Sequence, residues 1–193
     1  MNKKLVHSKR SQSGFTLLET MAVLIMVGIL AAIAIPSYLG MLNRQRLNTA
    51  QRQVYEIMRS AQANAKQQKT LWAACLYDDK TRVLWSINRL PESSGAWDCT
   101  KATNWEPLIG ENSKLIAINS TYTTLRQNPS SSGYYRVRFR FDGALDTDEG
   151  GANQLGKATL AVRNETNGIK RCVIVSTLLG ALRTAQDKKC EPE

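Results

Sequence analysis

Glu19 is the residue most out of place in this sequence, because it stands inside a segment, residues 15–39, that is otherwise almost entirely apolar. An ionised side chain deep in a hydrocarbon layer costs about 2.5–3.5 kcal/mol on insertion scales, so such a group is usually paired and functional. Imidazole chemistry is nearly absent: the one histidine, His7, lies in the short polar stretch ahead of the apolar segment. A chain that lost this stretch would have no Ser-His-Asp or Cys-His nucleophile system and no imidazole zinc site. The four cysteines, Cys75, Cys99, Cys172 and Cys190, contain no CxxC pair, which argues against zinc and dithiol redox chemistry. Outside the cytoplasm they read as disulfides. Three connectivities are open. The sequence-local one, Cys75 with Cys99 and Cys172 with Cys190, is preferred, and each loop would stabilise the fold by about 3 kcal/mol in the chain-entropy model. No catalytic residue, metal or cofactor is expected.

Two sets of cations could meet a phosphate backbone. Arg136, Arg138 and Arg140 alternate along one segment and so share one face of a strand, and Arg183, Lys188 and Lys189 cluster near the carboxyl terminus. The plainer alternative for both is a solvated face or contact with acidic groups of a neighbouring subunit. Asp142, Asp146, Asp148 and Glu149 offer oxygen ligands for calcium but lack EF-hand spacing, so a solvated loop is preferred. Trp72, Trp85, Trp97 and Trp105 are expected mainly as core and half-buried cover.

The elements that position these residues follow from the hydropathy pattern. Residues 15–39 would rise about 37 Å as a helix, enough to cross a bilayer. Basic residues ahead of the run, Lys3, Lys4, Lys9 and Arg10, keep that end in the cytoplasm, and no further cation occurs until Arg44. Pro36 should kink the helix rather than end it, since the helical pattern resumes beyond it. Leu39, Leu42, Leu47, Ala50, Val54, Ile57, Met58, Ala61 and Ala65 recur at three- and four-residue steps, which marks one apolar face over residues 40–69. Strands are expected at residues 82–88, 114–120, 134–141, 157–163 and 169–176, with turns at Asp142-Gly143 and Asn167-Gly168. In the strand at 134–141, Tyr135, Val137, Phe139 and Phe141 form the apolar side and Tyr134 and the three arginines the other. The fold class is α+β: a long amino-terminal transmembrane helix whose second half packs on a carboxyl-terminal antiparallel sheet with one core.

The segment GFTLLETMAVLIMVGILAAIAIPSY, residues 14–38, resembles the signal and first helix of type IV pilins and type II secretion pseudopilins. The resemblance implies that a prepilin peptidase cuts after Gly14 and methylates the new amino terminus, Phe15. It places Glu19 at the fifth mature position, where its carboxylate meets the amino-terminal nitrogen of a neighbouring subunit during assembly. Residues 1–14 are then a removed leader, 15–39 the membrane span, 40–69 its helical continuation and 70–193 an extracytoplasmic β-rich domain. Loss of the leader takes the formal charge from +10 to +6 and removes the only histidine. FRFDGALDT, KATLAVRN and IKRCVIVSTLLGALRT resemble in order and spacing the minor-pilin family that contains GspH of type II secretion and FimT of type IV pili.

The function this implies is structural and not enzymatic. The subunit sits single-pass in the inner membrane with its carboxyl-terminal domain outside the cytoplasm, then primes or caps a filament. The implied partners are other pilin or pseudopilin subunits, the prepilin peptidase, the inner-membrane assembly platform and the membrane. The alternatives are a pseudopilin for protein export and a DNA-binding minor pilin of natural transformation. FimT-like members use a Gly-Arg-x-Arg pattern for DNA, and here Gly180-Ala181-Leu182-Arg183 keeps the glycine and one arginine. A secretory signal cut after Ala32-Ile33-Ala34 is the competing interpretation of the amino terminus. Mass spectrometry of the mature chain should therefore find Phe15 first, with one added methyl group; a chain beginning at Ile35 would refute the pilin-type signal.

Overall fold

A long stretch of good helix formers, with a hydroxyl in front of it, produces the first element. Helix α1 runs from Leu17 to Gln68, 52 residues, and passes through Pro36 without a break in its helical assignment. The Thr16 hydroxyl accepts a hydrogen bond from the Glu19 N–H at 3.2 Å, the N-cap arrangement of a Thr-x-x-Glu start. Lys66 in the last turn complements the helix dipole, and Lys69, with φ 51°, turns the chain out of the helix. In this computed structural model, residues 16–91, 99–128, 131–146, 155–165 and 168–191 are described. The chain divides into two compact units, Met1–Met41 and Leu42–Glu193.

Among the described residues of the second unit, nine strands form two antiparallel sheets. The strands are β1 (Trp72–Asp78), β2 (Val83–Arg89), β3 (Glu106–Pro107), β4 (Ile116–Ile118), β5 (Arg126–Asn128), β6 (Ser131–Phe139), β7 (Gly156–Val162), β8 (Lys170–Val175) and β9 (Leu182–Gln186). One sheet has the order β3-β2-β1-β6-β5 and the other β4-β7-β8-β9. Leu47, Ala50, Val54, Ile57, Met58, Ala61 and Ala65 of α1 are buried, and they share one core with Leu76, Val137, Phe139, Leu160 and Val173 of the sheets. The α+β class is as expected, with two sheets in place of one.

The differences from the expected strands have physical causes. Strand β1 shows no alternation because both of its faces are covered: Ala74 and Leu76 enter the main core, while Ala73 and Cys75 join a second cluster with Leu90, Cys99 and Ala102. The segment expected as a strand at residues 114–120 begins as a 3-10 helix, Gly110–Leu115, leaving only three residues for β4. Strand β6 ends at Phe139, so Phe141 lies beyond it in a turn and is half-exposed.

Polar side chains hold the layers in register. Arg163 donates from Nη2 to Asp78 Oδ1 at 3.0 Å and also to the carbonyls of Lys80, Lys114 and Ile116, while Asp78 Oδ2 accepts from the Ile118 N–H. These bonds join the end of β1 to β4 and β7. Asp79 caps the β1–β2 turn: burial pushes its pKa up, but hydrogen bonds from Thr81 and Arg82 outweigh this and hold it below the usual carboxylate value. Two glutamines of α1 reach the sheet backbone. Gln51 donates to the carbonyls of Cys172 and Ala185, and Gln62 to those of Gly143 and Gly180. Gly180, at φ +79°, permits both the turn and the close approach of Gln62.

Replacing either glutamine leaves dry carbonyls behind. Gln51→Leu and Gln62→Leu should each lower unfolding free energy by about 1–3 kcal/mol. Their effects should add, because eleven helical residues separate them by about 16 Å. Urea unfolding of the full chain in detergent measures this; an unchanged midpoint would show that water replaces the amides.

Candidate functional site

Three groups of residues carry the candidate chemistry, and the structure treats them differently. The first is the start of α1. Every large apolar side chain from Leu17 to Met41 is at least 52% exposed, among them Leu17, Leu24, Ile25 and Ile33. It is the one helix, among the described residues, long and apolar enough to cross a membrane. Glu19 is exposed in its first turn, so a carboxylate lies on an otherwise apolar surface. The cleavage and methylation positions Gly14 and Phe15, and the leader with His7, lie outside the described residues.

The second group is the arginine ladder, and here the sequence expectation of an exposed cationic face is overturned for two of its members. Arg136 and Arg138 are 6% and 2% exposed. They pair in register with Cys75 and Ala73 of β1, so they face the small second cluster. The Cys75–Cys99 disulfide draws the segment at Cys99–Lys101 against β6 and covers that face. Arg138 Nη2 lies 2.7 Å from Asp146 Oδ2, with both side chains 2% exposed. Only Arg140 stays accessible, 3.9 Å from Asp142 and over the Phe141 ring. The arginine ladder therefore offers no run of cations to a nucleic acid.

Asp146 is spent on Arg138, which removes it from the calcium set; Asp148 and Glu149 lie outside the described residues. Among the described residues no cluster of His, Cys, Asp or Glu could hold a metal. Trp72 and Trp85 pack partly buried against the main core, and Trp105 meets Tyr77 and Tyr134 edge-on, two rings that themselves stack at 4.0 Å. Trp97 lies outside the described residues.

The third group is the carboxyl-terminal edge. The structure pairs Cys172 with Cys190, which fastens the 3-10 helix Asp187–Cys190 to β8. Arg183, Lys188 and Lys189 are exposed and line one open cavity of about 530 Å³. A neighbouring cavity of about 500 Å³ brings Arg44 of α1 to Lys170, Arg171 and Lys188, with Asp187 and Glu191 as the acids. The sequence reading missed this second grouping. Arg44 and Lys170 are 126 positions apart, and only the chain fold unites them; the cation at the end of the apolar run was its one visible sign.

The buried pair yields a sharp expectation. Arg138→Met should cost about 3–5 kcal/mol by removing the buried counter-ion of the Asp146 carboxylate, and adding Asp146→Leu should recover part of the loss. Denaturant unfolding of both variants measures it, and simple additivity of two losses would refute the coupling.

A family model described as the prokaryotic N-terminal methylation motif matches residues 9–35. A type IV major fimbrial protein FimA of Dichelobacter nodosus is 33% identical over 117 residues, covering 58% of this chain and 68% of the relative. A second FimA from the same organism is 36% identical over 92 residues, covering 46% of this chain and 51% of that one. Among solved structures, the type IV minor pilin FimU of Pseudomonas aeruginosa strain PAO1 is similar at a TM-score of 0.48 and 16% identity, covering 74% of this chain and 90% of its own.

Proposed function

The chain belongs to the type IV pilin family, and on that premise we propose that it is a minor pilin, a subunit that primes or caps a type IV pilus after prepilin peptidase processing. Family membership makes it a structural subunit and not an enzyme, one that assembles with other pilins. The observation that carries the proposal is the first half of α1, whose large apolar side chains are all exposed while its second half is buried in a core. Such a surface requires a hydrocarbon layer before assembly and the helices of other subunits afterwards.

In this reading residues 15–39 span the inner membrane, the peptidase cuts between Gly14 and Phe15, and the assembly platform draws the helix out. Pro36 supplies local adaptability of the helix at the membrane edge. The Glu19 carboxylate pairs with the methylated Phe15 amine of a neighbour, which offsets the cost of holding a charge among apolar helices. The named relatives are major fimbrial proteins, which favours a pilus over a secretion machine; the minor role is supported only by the resemblance of the segments FRFDGALDT, KATLAVRN and IKRCVIVSTLLGALRT to the family containing FimT and GspH.

A second reading, contact with DNA during uptake, is supported by the shared exposure of Arg183, Lys188 and Lys189 along one cavity. Affinity for duplex DNA would then fall steeply with salt. The assembly proposal is tested by Glu19→Ala in a strain lacking the native gene. The variant should remain membrane-inserted yet be missing from sheared filaments. Its incorporation at the native level would overturn the role given to Glu19.

A further inference from the structure

A sheet edge is a row of unpaired N–H and C=O groups, and folded proteins blunt it with short strands, proline, bulges or a cover. Among the described residues the two sheets end in four edge strands, β3, β5, β4 and β9. Three of them are blunted. Strand β3 has two residues, one of them Pro107. Strand β5 has three and slips register between Gln127 and Asn128. Strand β4 is capped by side chains, since the Ile118 N–H donates to Asp78 Oδ2 and the Ile116 carbonyl accepts from Arg163. Strand β9 carries none of these devices: its five residues, Leu182–Gln186, hold unbroken antiparallel register with β8 and include no proline.

The chemistry beside this edge selects its partner. The Ser176 N–H donates to the Ala181 carbonyl at 2.9 Å, so these two form a hydrogen-bonded pair. Such pairs alternate along an antiparallel ladder, so the backbone groups of Arg183 and Ala185 face β8, and the N–H and C=O of Leu182, Thr184 and Gln186 face the open side. Thr184 and Gln186 are exposed. Against the strand lies the open cavity of about 530 Å³, lined by Ile174, Thr184 and Ala185 and by the cations Arg183, Lys188 and Lys189. Its one carboxylate, Glu191, is already met by Lys170 Nζ at 3.0 Å. A phosphate backbone could accept from the outward N–H groups but would leave the outward carbonyls without a donor; an extended peptide satisfies both. We infer that β9 takes an extended, acidic segment of another protein as a fifth strand of its sheet, with carboxylates at alternate positions of that segment over the cations of the cavity. Edge and cavity lie within one compact unit, Leu42–Glu193, so the site is independent of the apolar start of α1. It gives the globular domain a grip on a partner beyond the helix contacts of assembly.

The test uses the full-length chain in a non-ionic detergent and a fluorescent eight-residue peptide of alternating threonine and glutamate, with binding followed by anisotropy. Two control peptides isolate the two features: one has lysine in place of glutamate, and the other keeps its glutamates but has every backbone amide N-methylated. The native chain should bind the first peptide and neither control. Thr184→Pro removes one outward N–H and leaves the ladder to β8 intact, so it should weaken binding about ten-fold. Arg183→Gln with Lys188→Gln should weaken it about five-fold. Unchanged thermal melting and intact disulfides show that the variants are folded, and the N-methylated peptide tests the same backbone bonds on the native chain. Equal binding of the N-methylated peptide, or of the lysine peptide, would overturn the inference. So would failure of the glutamate peptide to bind. The three cations also serve the DNA reading above, and a short duplex separates the two: a duplex that displaces the peptide and binds Thr184→Pro as well as the native chain marks a nucleic-acid site, and the added strand is then refuted.

Discussion

The buried stripe of α1 is the constraint to which the folded domain answers. Leu47, Ala50, Val54, Ile57, Met58, Ala61 and Ala65 are nearly inaccessible, and three of the seven are alanines. Small side chains let strand backbones approach the helix closely, which is why glutamine amides of ordinary length reach the carbonyls of Cys172 and Gly180. Both sheets contribute side chains to the core that forms over this stripe. The same helix carries the opposite character nearer its start, where the apolar side chains have no partner within the described residues. A single element thus carries an exposed apolar surface up to Met41 and a buried apolar stripe from Leu47 onward.

The two disulfides do more than close loops. Cys75–Cys99 covers the face of β1 and β6 that bears Arg136 and Arg138, and the enclosed guanidinium of Arg138 draws in Asp146 as its counter-ion. Charge that would suit a polyanion is turned into internal structure. Cys172–Cys190 has the opposite effect, since it presents Lys188 and Lys189 on the surface beside Arg183.

Much of the architecture was legible in the sequence. The apolar run and the three-and-four spacing after it are long signals, and they specify α1 and its core face. The disulfide-bearing strand β8 also shows clearly as an apolar run. What was hidden involves covering on a second side. Strand β1 reads Trp-Ala-Ala-Cys-Leu-Tyr-Asp, with no alternation because both of its faces are buried. The arginines of β6 alternate correctly, but alternation tells that two faces differ and does not tell whether the second meets water. The cation cavity was hidden for another reason: it joins α1 to β8 and to the carboxyl-terminal turn across more than a hundred residues of chain.

The glutamine contacts of α1 have a mechanical meaning. Gln51 and Gln62 each grip two backbone carbonyls: those of Gln51 belong to β8 and β9, and those of Gln62 to the turn between these strands and to the turn at Gly143. A pull along the helix axis loads both clasps at once, in shear, so neither can fail by opening singly like the teeth of a zipper. Tension carried by the helix core of a filament would therefore be shared into the sheet at two stations, and the globular domain would serve as a rivet on the helix as well as a surface.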